Sequence, residues 1–166
     1  MPDFDSDPGP IVYRCAVPDH VGGFVPRWGK QLLRWFVMRE IPQLGRQAQE
    51  ELTAAAFESW SRVCGLEFER VDDASSADIL IGTARGARNQ LDGPGGVLAF
   101  AYLPRSSNWQ GQSTQTYDLD EDWIRKIKYL PVCAHESGHT LGLSHGPSGA
   151  LLQATYDPNL FEPQPW

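Results

Sequence analysis

Eleven consecutive residues carry the chemistry of this chain. His135-Glu136-Ser137-Gly138-His139-Thr140-Leu141-Gly142-Leu143-Ser144-His145 reads H-E-x-x-H-x-x-G-x-x-H. Positions i and i+4 of a helix share one face, so His135 and His139 can aim imidazole nitrogens at one metal ion. Gly142 can leave the helix in the left-handed region at little steric cost, and that turn brings His145 round as a third ligand. Three neutral imidazoles leave one position of a tetrahedral Zn²⁺ open, as a catalytic site requires. The ion lowers the pKa of a water in that position, and Glu136 lies close enough to take the proton. A bare H-E-x-x-H could be a solvated helix face or a chance match. The added glycine and third histidine use three of only four histidines in the chain and favour the zinc site.

At 166 residues the chain can bury a core and is expected to be a single domain. It is 41% hydrophobic and 11% aromatic, which is globular rather than disordered composition. A net charge of −7 argues against nucleic acid and anionic membrane as partners and supplies carboxylates for Ca²⁺. No apolar run reaches membrane-spanning length. The first ten residues are rich in Asp and Pro and read as a loose tail; they lack the basic and apolar regions of a secretory signal. That leaves a cytosolic protein, a signal already removed, or a shortened chain. Three cysteines allow at most one disulfide, and whether Cys64 and Cys133 pair is left open.

The elements that must position the motif can be traced in order. Leu33 to Val37 reads as a first strand, stopped by Pro42. Leu44, Ala48, Leu52, Ala55, Ala56, Trp60 and Val63 recur at helical spacing and predict a long amphipathic helix ending at Cys64-Gly65. Leu66, Phe68 and Val71 alternate with charges as a half-buried strand, and Ala77 to Gly82 is a buried-strand run. The order β-α-β-β fits an α/β (α+β) sheet packed on that helix.

Two further stretches stand out. Tyr13-Arg14-Cys15-Ala16-Val17-Pro18-Asp19 reads as a short extended segment with a buried cysteine, whose thiolate is also a strong zinc ligand. Leu91-Asp92-Gly93-Pro94-Gly95-Gly96-Val97-Leu98-Ala99-Phe100-Ala101-Tyr102 is a glycine-rich turn entering an edge strand. It lacks the pattern of a phosphate cradle, and an aspartate sits in the turn. Asp118 to Asp122 could be a solvated acidic turn, a helix N-terminus or a source of calcium ligands.

The zinc motif resembles the signature of the metzincin metalloproteases. The other two stretches narrow the likeness to matrixins, the matrix-metalloprotease branch, over residues 13 to about 156. The resemblance implies a zincin-like fold, with a twisted, mostly parallel sheet on the long helix and an active-site helix. It implies a zinc endopeptidase of residues 25–166, preceded by a propeptide-like tail over 1–24. Arg14, Cys15, Val17, Pro18 and Asp19 match a propeptide segment whose cysteine occupies the open zinc position, although only 14 residues precede Cys15. The glycine-rich loop matches a calcium loop. There Asp92, Asp118 and Glu121 give carboxylates, and Gly93, Gly95 and Val97 give carbonyls. The following strand matches the rim of the substrate cleft. Leu98, Ala99, Pro131 and Tyr156 then fall in the substrate-binding part, and a protein or peptide substrate adds as an extended strand along Gly96 to Tyr102. Tyr156 can equally be an ordinary half-buried tyrosine.

Three departures modify these expectations. Arg85, Ala87, Phe100 and Thr116 stand where matrixins hold a second, structural zinc, so that zinc is expected to be absent, with Phe100 filling its volume. Leu152 takes the place of the methionine beneath the zinc, a swap of similar volume. The family's third helix is not recognisable after Tyr156, so the chain is either truncated or rebuilt there. The resemblance further implies an extracellular, monomeric enzyme. A latent or non-hydrolysing zinc-binding module held shut by Cys15 is the alternative, and the presence of all four catalytic side chains argues against it.

Overall fold

A computed structural model of the chain describes residues 14–15, 28–86, 90–104 and 111–163. The N-terminal tail, most of the segment around Cys15, His20, the connector before residue 28 and Ala87 lie outside the described residues. The elements in order are β1 (Arg14–Cys15), β2 (Leu32–Val37), α1 (Arg46–Cys64), β3 (Glu67–Arg70), a short 3₁₀ turn (Ala74–Ser76), β4 (Ile79–Ala84), β5 (Val97–Ala101), β6 (Ser113–Asp118) and α2 (Tyr129–Thr140). They build one six-stranded sheet in the order β1-β5-β6-β4-β2-β3. All neighbours are parallel except β5 and β6. This is the expected mostly parallel α/β sheet with a long helix and an active-site helix.

The strands form where apolar runs are dense enough to be buried. Leu33, Trp35 and Val37 of β2 and Ile79 and Ile81 of β4 make the central hydrophobic layer. Phe57 of α1 lies against Trp35 at a centroid distance of 5.8 Å and stacks on Phe68 at 4.6 Å. Gly65, in the left-handed region, ends α1 and returns the chain into β3.

The buried face of α1 differs from the expected stripe. Ala48, Ala55 and Val63 are exposed, whereas Gln49, Thr53, Ala56, Phe57, Ser59 and Trp60 face inward. Polar partners explain the rotation. Gln49 accepts from the Ile41 backbone at 2.7 Å, its amide lies 3.3 Å from the Tyr129 hydroxyl, and Thr53 lies 2.9 Å from that same hydroxyl. Buried polar groups are tolerated when paired in this way. The chain continues through α2 into β6: Cys133 is in contact with Thr53 and Gln115, Tyr117 donates to Gln115 at 2.6 Å, and Gln115 donates to Ser137 at 3.1 Å. Strand β6 itself carried no apolar alternation, because its inward residues are Ser113, Gln115 and Tyr117.

Helix α2 is buried along nearly its whole length. Trp60 donates its indole N–H to the Ala134 carbonyl at 2.8 Å, and Trp28 donates to Thr140 at its C-terminal end at 2.7 Å. Cys64 is exposed at the end of α1, and Cys133 is buried in α2. They do not pair.

Gly138 is the closest point between α2 and its floor. A Cβ there would lie 2.7 Å from Trp60 Cζ2 and 2.7 Å from Leu152 Cδ2. The leucine can swing aside, but the indole is held by its hydrogen bond. Gly138→Ala is therefore expected to destabilise the fold by about 1–3 kcal/mol through overpacking, measured by urea denaturation; an unchanged midpoint would show that Trp60 yields freely.

Candidate metal centre and active site

Helix α2 ends at Thr140, and Gly142 adopts φ 103°, a conformation that glycine accepts without strain. The chain then turns back so that His145 joins His135 and His139. Ring centroids are 4.8 Å apart for His135 and His139, 4.9 Å for His139 and His145, and 5.6 Å for His135 and His145. Cys15 completes the group: one ligand atom from each of the four residues lies within 4.8 Å of the others.

His135 and His139 are fixed by backbone carbonyls. His135 Nδ1 lies 2.8 Å from the Leu151 carbonyl and His139 Nδ1 lies 2.7 Å from the Leu143 carbonyl. A carbonyl only accepts, so each Nδ1 must carry the proton. Both Nε2 atoms are then lone-pair acceptors, and they face one another at 3.1 Å. Two lone pairs so placed repel, and a cation between them removes the repulsion. Burial also pushes the His135 pKa well below its ordinary value, helped by the neighbouring His139 and His145. Neutral, pre-oriented imidazoles beside a thiol are a zinc donor set, so the residues fit that ion.

Glu136 is fully buried next to this group. Burial raises its carboxyl to about 7, while hydrogen bonds from Tyr156 and Cys15 pull it down. The Tyr156 hydroxyl donates to Glu136 Oε1, and Oε2 has no hydrogen-bond partner. The turn beneath the site contains Leu152, buried where the methionine was expected, and its carbonyl accepts from Gly146 at 2.8 Å. Pro131 is buried in the first turn of α2, one helical turn before His135.

Strand β5 borders the site. One of its edges pairs with β6; the other pairs with β1, where Cys15 stands opposite Ala99 and Arg14 opposite Val97. Cys15 also reaches across to the Ala154 carbonyl at 3.4 Å. A two-residue strand thus lies between β5 and the segment leading to Tyr156.

The acidic loop is assembled as well. Gly93 donates to Asp118 at 3.2 Å, Gly95 to Glu121 at 2.7 Å and Val97 to Asp92 at 2.8 Å. Gly96 leaves no room for a side chain, since a Cβ would strike the Asp92 carboxylate. The amides of Gly93, Gly95 and Val97 thus tie the turn to the three carboxylates. Burial raises the Asp118 carboxyl, and Asp92 adds to it. Burial raises Glu121 to about 7, with Asp118 and Asp92 reinforcing the shift against the Gly95 hydrogen bond. Three carboxylates gathered on one turn, each with spare acceptor capacity, fit a hard cation such as Ca²⁺.

At the positions compared with a second zinc, Phe100 is buried and stands opposite Thr116 across β5 and β6. Arg85 is ion-paired with Asp120. A phenyl ring and a guanidinium offer no zinc ligand.

Sequence reasoning missed Ser137, Gln115 and Trp123. Trp123 donates to the Asp118 carbonyl at 2.7 Å, and its backbone N–H is held by Gln43 at 2.9 Å, which fixes the acidic turn. Nothing in the local pattern marked these residues, because each acts through a partner distant in sequence.

The mostly parallel sheet, the two helices and the glycine-turned third histidine are the arrangement expected of the metzincin class. The narrower assignment comes from comparison with known proteins: the family model for matrixins matches residues 27–163. The chain belongs to the matrixin family. It is 37% identical to interstitial collagenase of Sus scrofa over 155 residues, covering 86% of this chain and 32% of that protein. Stromelysin-1 of Mus musculus is 36% identical over 155 residues, with 86% and 31% covered. Neutrophil collagenase of Homo sapiens is 35% identical over 156 residues, with 86% and 32% covered. The chain thus spans about a third of the length of these relatives.

Removing calcium with a chelator that spares zinc is expected to lower the melting temperature, because a ligand that binds only the folded state stabilises by mass action. An unchanged melting curve would remove Asp92, Asp118 and Glu121 from calcium binding.

Proposed function

We propose that the chain is a zinc-dependent endopeptidase in which His135, His139 and His145 hold the ion and Glu136 moves the proton. The observation that carries this reading is the pair of deprotonated Nε2 atoms 3.1 Å apart, with the third histidine and a buried carboxylate beside them. Zinc bound there would supply Lewis acidity, polarising the scissile carbonyl and acidifying water. Glu136 takes a proton from the water that attacks the carbonyl carbon. It returns that proton to the amine as the C–N bond breaks, leaving a carboxylate and a free amine. The polypeptide substrate pairs along β5, where Leu98 and Ala99 hold its backbone, while Pro131 and Tyr156 belong to the pocket side. Burial of Glu136, whose carboxyl has a pKa near neutrality, supports a role in both taking and giving a proton. The carboxylate loop of Asp92, Asp118 and Glu121, with carbonyls of Gly93, Gly95 and Val97, holds calcium. One zinc serves the domain, which acts as an extracellular monomer, with no nucleic acid or membrane as partner. Among the described residues no helix is long and apolar enough to cross a membrane.

Residues 1–24 act as an inhibitory segment and 25–166 as the catalytic unit. The thiol of Cys15 within reach of the three histidines supports this, as does the β1 pairing along the edge a substrate needs. The start of the family match at residue 27 agrees with the division. A non-hydrolysing module gains no support from the relatives, and Glu136 stands beside the histidines.

Glu136→Ala is expected to reduce kcat by at least about 100-fold with zinc content unchanged by mass spectrometry. His139→Ala is expected to lose both, since two ligands rarely hold a catalytic zinc. Zinc loss in the Glu136 variant would show that the roles are misassigned.

Cys15 and substrate compete for one coordination position, and tethering gives the thiol an effective concentration in about the millimolar range. Cys15→Ala in the full chain is therefore expected to cleave a quenched peptide faster than wild type. Trimming both proteins to about residue 25 should abolish the difference. Equal rates for the two full chains would show that Cys15 is no latch.

A further inference from the structure

Tyr156 contributes a hydroxyl as well as a ring to the site. Its ring lies 4.8 Å from that of His135, tilted at 64°, and packs against the hydrophobic core. Its hydroxyl donates to Glu136 Oε1. The matching tyrosine of the family is expected only to border a pocket, a task for which phenylalanine would serve equally well. The hydroxyl is therefore the feature without a purpose.

A carboxylate has two chemically equivalent oxygens and turns about one soft torsion. Inside a protein, a lone buried carboxylate that must accept and return a proton works best when one oxygen is tethered and the other is left for the transfer. Glu136 shows that division: Oε1 is taken by Tyr156, and Oε2 has no hydrogen-bond partner. An O–H donor to a charged oxygen is among the stronger hydrogen bonds, so it can set the torsion. The ring packs half-buried against the core, and because Cys15 also hydrogen-bonds Tyr156 and Glu136, the test below removes that thiol.

We propose that Tyr156 is a positioning residue for the proton carrier: its hydroxyl anchors Glu136 Oε1 and assigns proton exchange to Oε2. The role rests on the endopeptidase reading above and adds to it. It predicts that loss of one oxygen atom, with the ring intact, slows the chemical step without weakening substrate binding.

The test uses the full chain carrying Cys15→Ala, zinc-loaded, on a quenched peptide. Tyr156→Phe is expected to keep zinc content and to leave KM within about twofold while lowering kcat about tenfold or more. A second readout needs no activity. In the metal-free full chain, the melting-temperature shifts of Tyr156→Phe and Glu136→Gln should be non-additive, as for groups sharing one hydrogen bond. An unchanged kcat, a raised KM with kcat intact, or strictly additive shifts would each overturn the proposal and return Tyr156 to the pocket wall. If the Cys15→Ala parent cleaves nothing, the endopeptidase reading fails. The melting cycle still decides whether Tyr156 holds the carboxylate.

Discussion

Two imidazole lone pairs held 3.1 Å apart set the terms for everything around them. Left to themselves the rings would turn away or take up a proton. They do neither because the Leu151 and Leu143 carbonyls claim each Nδ1 proton, and because burial disfavours the charged imidazolium of His135. The orientation of the rings is thus set by the surrounding protein, whose folding energy bears the cost. The carbonyls come from the two loops that flank the third histidine. The turn through Gly142 and the turn over Leu151 and Leu152 are therefore parts of the site as much as the histidines themselves.

Such a site needs a helix that cannot shift. Trp60 grips α2 through the Ala134 carbonyl, and Gly138 brings the helix down onto Trp60 and Leu152. On the sheet side, the chain of hydrogen bonds from Gln49 and Thr53 through Tyr129, and from Tyr117 through Gln115 to Ser137, ties α1, α2 and β6 together. Apolar packing alone tolerates small rotations of a helix. A satisfied buried network does not, since any shift leaves a polar atom without a partner.

The histidine cluster was legible in the sequence because its chemistry and its spacing lie in one local pattern. His135, Glu136, His139, Gly142 and His145 need only helical geometry and one left-handed residue to meet. The strands β2 and β4 were legible for a similar reason: their apolar runs are dense. The face of α1 was misread because Gln49 and Thr53 are polar yet buried, and no periodicity of apolar residues reports a hydrogen bond to a tyrosine eighty or so positions away. Strand β6 was hidden for the same cause. Its inward side chains are Ser113, Gln115 and Tyr117, so the alternation exists in burial but not in hydrophobicity. In the acidic loop the carboxylates stand out in the sequence, but the backbone N–H groups that meet them do not, because that depends on turn geometry which three glycines and a proline leave open.

That loop has a consequence for the cleft. Asp92 and Val97 bracket the turn into β5, while Asp118 closes β6 and Glu121 follows it. The amide bonds from Gly93 and Gly95 to Asp118 and Glu121 therefore join the start of one strand to the end of its neighbour. Whatever neutralises the three carboxylates also fixes the height at which β5 enters the sheet. Leu98 and Ala99 lie one and two residues beyond Val97, and Ala99 is the partner of Cys15 beside the histidines. Charge at the loop is thus coupled through a very short stretch of backbone to the edge where Cys15 pairs. On the proposed reading, the thiol and a substrate strand would compete for that same short stretch. The edge has a single row of free backbone groups facing the histidines, and β1 already uses it.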